Sequence, residues 1–241
     1  LVKDPNKLSP VFHEAFAIAQ NGRPGPVLID IPKDVQFANG NYTKKENIII
    51  PSHRLFEPKI FNNNEKINEV VDLISKAKKP IFYIGGGCIN SGSKASELVT
   101  QFVEMTGAPA TMTLMGLGVL GSSHQNSLGM LGMHGMYEAN MAMHDCDIMI
   151  NIGARFDDRV TGRLDAFSPN SKKIHIDIDE SNINKTIKVD VPVVGDVTSV
   201  LKRVIKVWKD NNFKTNQSDL KLWWDKINNW KKIDCLHFTN N

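Results

Sequence analysis

Long apolar runs are missing from this sequence. No stretch approaches the roughly 18 uninterrupted apolar residues that a membrane helix needs, so no membrane partner is expected. Cysteine is scarce: Cys88, Cys146 and Cys235 stand far apart and form no Cys-x-x-Cys pair. That spacing argues against a zinc knuckle or a disulfide framework and fits a reducing, cytoplasmic setting, with all three expected as buried small apolar side chains. Charge of one sign is also lacking. The 29 basic and 26 acidic residues leave a net +3, spread without any run longer than a Lys pair and without aromatic residues along a basic stripe, so nucleic acid is not an expected partner. There is no Gly-x-Ser-x-Gly, no Gly-x-x-x-x-Gly-Lys-Ser/Thr, no His-Glu-x-x-His and no Cys-His nucleophile pair. No catalytic residue and no metal-ligand set is assigned: the residues read as binding.

What is present is the composition of an ordinary globular protein, 41% hydrophobic and 23% charged over 241 residues. That length holds one sizeable α/β domain, alone or with fragments of neighbours. The opening Leu1-Val2-Lys3-Asp4-Pro5 has no initiator Met or leader, and the expectation is a cut end. Pro10 to Gln20 places Val11, Phe12, Ala15, Phe16 and Ala19 on one helical face, with Asn21-Gly22 as its stop. Pro26 to Pro32 reads as a short buried strand, and Lys33-Asp34-Val35 closes the unit. One helix and one strand make no core, so residues 1–36 are expected to be the end of a preceding domain. Residues 37–64, polar and punctuated by Gly40, Pro51, Pro58 and Asn62 to Asn64, read as a linker.

Beyond Asn64 amphipathic helices alternate with β-branched runs, the pattern of parallel βαβ units. Helices are expected from Glu65 to Lys78, Lys94 to Thr106, Tyr137 to His144 and Thr198 to Lys209. Strands are expected from Pro80 to Ile84, Pro109 to Leu114, Ile148 to Ile152, Lys173 to Ile178 and Pro192 to Val194. The fold class is α/β, a doubly wound, mostly parallel six-stranded sheet over residues 65–210. Residues 211–241, with a helix from Asp219 to Trp230, are expected to pack against or link to something further on.

In such a sheet ligands bind outside the carboxyl ends of the strands. Gly85-Gly86-Gly87 ends one strand, either as a close backbone approach to an anionic ligand or as a plain tight turn. Gly129-Met130-Leu131-Gly132-Met133-His134-Gly135 suits the face of a flat aromatic ligand, or is a loop with buried methionines, His134 then being a core histidine. Gly153 to Gly162 gathers Arg155, Asp157, Asp158 and Arg159, as a phosphate clamp or as a surface salt-bridge cluster. Asp177, Asp179 and Asp196, also at strand ends, could accept hydrogen bonds from a ribose or adenine, or cap the next helix. Together they outline a crevice long enough for a dinucleotide.

Arg23-Pro24-Gly25-Pro26 through Val35, Gly129 to Gly135 with Tyr137-Glu138-Ala139-Asn140, and Gly153 to Gly162 resemble, in order and spacing, the catalytic large subunit of the acetolactate synthase family of thiamine-diphosphate enzymes. The resemblance covers nearly the whole chain. It implies three domains, of which this sequence holds the end of the first and the whole FAD-binding middle one, while the activating glutamate and the Gly-Asp-Gly metal motif would lie outside it. It further implies FAD contacts from Arg23, Gly85, Gly86, Gly87, Thr113, Leu114, Met115, Leu131, Gly132, Met133, His134, Gly153, Ala154, Arg155, Asp157, Arg159, Val160, Asp177, Ile178, Asn182, Gly195 and Asp196. Met133, Asp158 and Arg159 would lie near a substrate channel. The complete enzyme would carry thiamine diphosphate and Mg2+, assemble as a homodimer or homotetramer with a regulatory small subunit, and join two pyruvates, or pyruvate and 2-oxobutyrate, with loss of CO2. The flavin there has a structural role, and the piece alone is expected to be inactive. Two other readings stay open: another thiamine-diphosphate enzyme, such as pyruvate oxidase, glyoxylate carboligase or a 2-oxoacid decarboxylase, and a non-catalytic nucleotide-binding module.

Overall fold

The computed structural model describes residues 1–50 and 63–239, and the chain divides into two compact units, Leu1–Lys59 and Ile60–Asn241. In the first unit helix α1 (Leu8–Gln20) is followed by the short α2 (Lys33–Phe37). Only Val2, Ala15 and Val35 are buried apolar side chains there among the described residues, while Phe16 and Leu28 are exposed. The run Pro26 to Pro32, expected as a buried strand, is extended and mostly exposed and belongs to no ladder among the described residues; the Asp30 carbonyl accepts the Val2 N–H at 2.8 Å and the Ile31 carbonyl accepts Gln36 Nε2 at 2.7 Å. An apolar β-branched run becomes a strand only when neighbours take up its N–H and C=O groups. Of the expected linker, Pro51, Pro58 and Asn62 lie outside the described residues.

The second unit holds a six-stranded, wholly parallel sheet in the order β3-β2-β1-β4-β5-β6. The strands are β1 (Pro80–Ile84), β2 (Ala110–Met112), β3 (Ser127–Met130), β4 (Ile148–Ile152), β5 (Lys172–Asp177) and β6 (Val191–Val194). The sixth strand, for which the sequence offered no bounds, is β3, inside the glycine-rich segment, where Gly129 at φ +71 blurs the β pattern. Strands β1 and β4 are buried along their whole length, as expected for a sheet covered on both faces.

One face carries α3 (Asn64–Lys76), the four-residue α4 (Gly87–Asn90), α5 (Ser93–Thr106) and, later in the chain, α8 (Val197–Asp210). Val71, Ile74, Val99, Phe102, Val204 and Trp208 pack there on Phe82, Ile150 and Ile174. The other face is covered by α6 (Tyr137–Asp145) and α9 (Gln217–Lys231); between them in sequence lie β4 to β6, α8 and the short α7 (Asp158–Thr161). Leu220, Trp223 and Ile227 of α9 are buried with Ile81, Tyr83 and Met149. Trp223 Nε1 donates to the Pro80 carbonyl at 3.0 Å and Trp224 Nε1 to the Gly107 carbonyl at 2.9 Å. Within 211–241, expected as a linker, this helix is a covering layer of the second unit itself.

Candidate functional site

The strand order reverses between β1 and β4, and the loops leaving their carboxyl ends meet there. Gly85 N–H donates to the Ile152 carbonyl at 2.9 Å and Gly87 N–H to the Gly153 carbonyl at 3.0 Å. A Cβ on Gly85 would lie 2.2 Å from the Gly153 oxygen, and one on Gly87 2.7 Å from the Gly153 Cα. The glycine triplet therefore serves first to let two backbones of the domain touch. Two of its N–H groups are already used, and the helix it opens, α4, is a single turn.

Around this contact the structure gathers most of the expected crevice. Thr113 N–H bonds to the Ile84 carbonyl at 2.9 Å, and the Thr113 hydroxyl accepts the Gly116 N–H at 3.0 Å, presenting Leu114 and Met115 outward. Leu131 is buried, and Asn140 holds Gly132 from both sides, accepting its N–H at 2.8 Å and donating to its carbonyl at 3.0 Å. Met133 N–H donates to the Arg159 carbonyl at 2.9 Å, joining the two halves of the expected channel, and the Gly132 backbone packs on Arg159 and Val160. Met133 and His134 are exposed, so neither is a core side chain.

The loop after β4 has an internal frame. Asn151, fully buried in β4, accepts the Ala154 N–H at 3.0 Å and donates to its carbonyl at 2.9 Å. Phe156 then turns inward at φ +55, a left-handed backbone that costs a phenylalanine about 1–3 kcal/mol. Its ring packs 5.7 Å from Tyr83 and 5.1 Å from His175. This fold throws Arg155 outward, where its guanidinium meets Asp157 at 2.7 Å. Asp157 caps α7 by accepting the Arg159 N–H at 3.3 Å. Hydrogen bonding with Asp158, then with the Arg159 N–H, holds the Asp157 carboxyl below its ordinary range despite some desolvation. Ion pairing at the surface and helix capping thus both describe Asp157.

On the far side Gly153 N–H bonds to Ile176 and Gly195 N–H to Asp177, so the ends of β5 and β6 close the row. Asp177 is buried, Ile178 half-buried and Asn182 buried in the following turn. Asp196 has both oxygens engaged, one capping α8 through the Ser199 N–H at 3.0 Å and the other accepting the Ser91 hydroxyl. Arg23 belongs to the first unit, exposed in the turn after α1. Among the described residues no three His, Cys, Asp or Glu side chains gather where they could hold a metal ion, and no helix is long and apolar enough to cross a membrane. Cys88 and Cys146 are buried as expected, burial pushing their thiols up to about 12 and about 11, but Cys235 is exposed in the tail, where its Sγ accepts the Tyr137 N–H at 3.2 Å.

Sequence reasoning did not single out the floor beneath the crevice. Thr111, Tyr83, Asn151 and His175 stand in register across β2, β1, β4 and β5, a buried polar row on the face covered by α6 and α9. The signal was a single hydroxyl or amide residue in each of the otherwise apolar strands β1, β2 and β4; β5, with Lys172, Lys173 and Asp177 beside His175, carried no such mark. Burial keeps the Tyr83 hydroxyl protonated far above its ordinary range, with Asp157 adding to the effect and Arg155 opposing it.

A parallel, doubly wound sheet whose β1 and β4 loops meet at the switch point defines a domain of the doubly wound class, in which ligands bind outside the strand carboxyl ends. Residues 67–204 match the family model of the thiamine pyrophosphate enzyme, central domain, and the chain belongs to that family. It is 44% identical over 241 residues to the acetolactate synthase large subunit of Buchnera aphidicola, covering 99% of this chain and 41% of that protein. It is 41% identical over 238 residues to that of Haemophilus influenzae, with 99% and 41% covered. With the isozyme 3 large subunit of Escherichia coli it shares 37% identity over 241 residues, again with 99% and 41% covered. The chain thus spans about two fifths of the length of these relatives.

Proposed function

We propose that this chain is the FAD-binding central part of an acetolactate synthase large subunit. The complete enzyme would use thiamine diphosphate and Mg2+ to join two pyruvates, or pyruvate and 2-oxobutyrate, with loss of CO2, on the route to branched-chain amino acids. It would work as a homodimer or homotetramer with a regulatory small subunit, in the cytoplasm. The observation that carries this reading is similarity to acetolactate synthase large subunits along 99% of the chain.

The crevice residues fit a flavin dinucleotide. Leu114, Met115 and Met133 are 69, 74 and 65% exposed at the rim, apolar surface that a flat aromatic ring would cover. The exposed Arg155 and Arg159 suit a diphosphate, and Asp177 a ribose or adenine. Leu131 to His134 and Thr113 to Met115 would line the ring side, while Gly153 to Val160 would flank the phosphates. Bound there, the flavin would supply structure, not electron transfer. Met133, Asp158 and Arg159 would shape the approach to the reacting centre. The chain alone would have no acetolactate-forming activity, its part of the work being to bind and orient.

The test is a visible absorbance spectrum of the full chain after incubation with FAD and gel filtration, with Arg155→Ala alongside. Flavin co-eluting with the wild type and reduced at least tenfold in the variant is expected; a wild type that elutes colourless yet binds ADP would replace the flavin reading with that of a plain nucleotide module. Acetolactate formed by this chain unaided would overturn the claim of inactivity.

A further inference from the structure

His175 is fully buried, and neither ring nitrogen has a hydrogen-bond partner. A buried polar group left in that state is costly. Two observations orient it. The Phe156 ring stands edge-on to the imidazole, centroids 5.1 Å apart and planes at 78°, which locks the plane of the histidine. Its Nε2 then faces Asp177 Oδ2 at 3.6 Å, on the same side of β5 two residues further toward the crevice. That separation is roughly 0.5 Å beyond the N–H···O range, within reach of a small rotation of the carboxylate. Asp177 Oδ1 is already held, accepting the Asp179 N–H at 2.8 Å. A carboxylate offers about four lone-pair sites, so bonds from Asp179 and His175 leave acceptor capacity for a ligand.

We infer that His175 is a positioning residue for the nucleotide half of the crevice: donating from Nε2, it turns and holds the Asp177 carboxylate as a fixed acceptor for a ribose hydroxyl or an adenine amine. This deepens the proposed flavin site and rests on it. His175 itself does not touch the ligand. Phe156 couples the two ends of the site, because the residue that fixes the imidazole plane is also the one that throws Arg155 outward.

The experiment is a fluorescence titration of FAD into the full chain and its variants, with thermal unfolding of each ligand-free protein. His175→Phe, which keeps a flat ring against Phe156 but has no donor, is expected to weaken FAD about tenfold without lowering the unfolding midpoint. His175→Gln, which keeps a donor, should stay within about threefold of the wild type. In an Asp177→Asn background His175→Phe should cost nothing further. Equal FAD affinity in wild type and His175→Phe overturns the inference and leaves the flavin reading standing; a further tenfold loss in the Asp177→Asn background overturns it as well. A wild type that binds no FAD removes both. Should His175→Phe fail to fold, the imidazole tautomer of the FAD-bound wild type, read by nitrogen NMR, decides: a proton on Nε2 supports the role, and one on Nδ1 sinks it.

Discussion

At the scale of single residues, the glycines show how a motif can be legible while its reason is not. Gly85-Gly86-Gly87 stood out in the sequence as a place where something approaches the backbone closely, and what approaches is the Gly153 loop of the same domain. Gly85→Ala would set a Cβ 2.2 Å from the Gly153 oxygen and is expected to destabilise the fold by about 2–4 kcal/mol. Gly25→Ala, with nothing within 4 Å of the added carbon, should leave the unfolding free energy within about 0.5 kcal/mol of the wild type in urea. The cysteines separate in the same way. A thiol reagent should label Cys235 alone in the native protein, and all three after denaturation, since Cys88 and Cys146 are buried and their thiolates suppressed. Two of the three matched the expectation of burial. Cys235 did not, because a cysteine's burial depends on what packs over it, which local pattern does not record.

At the scale of elements, α9 is the clearest case. Three tryptophans marked it as a helix that packs on something, but its partner lies more than a hundred residues earlier in the chain, at Pro80 and Gly107. Trp223→Ala removes a side chain that is 1% exposed together with its hydrogen bond, and a loss of about 3–5 kcal/mol is expected in urea unfolding. The helix is also tied by charge: Asp145, at the end of α6, meets Lys226 at 2.7 Å and Lys79 at 3.2 Å. Partial burial pushes the Asp145 carboxyl up, but hydrogen bonds from Lys226 and Lys79 outweigh it and draw the group below its ordinary 3.8. A carboxyl lowered in the folded state stabilises the protein above its unfolded value, and that contribution disappears as pH falls through the folded value. Asp145→Asn should therefore cost about 0.5–1 kcal/mol near neutral pH and progressively less below about pH 4, measured as the difference in urea midpoint from the wild type.

At the scale of the whole molecule, sequence by itself determined the alternation of helices and strands in residues 64–210, the doubly wound class and the row of ligand-suited groups at strand ends. These follow from local physics. Burial on both faces writes an apolar strand, one buried face writes an amphipathic helix, and a chain leaving a parallel strand needs glycine or a cap to turn. Tertiary structure alone decided what pairing and packing over long sequence separations decide. It left Pro26 to Pro32 extended without a ladder, since a strand exists only with neighbours. It added β3 beside β2 despite a glycine at positive φ. It also assembled Thr111, Tyr83, Asn151 and His175 into one buried row. Three of those four are isolated polar residues in their own strands and His175 is one of several in β5, and register alone, the hydrogen-bonded alignment of four chain segments, turns them into the floor on which the crevice loops are set.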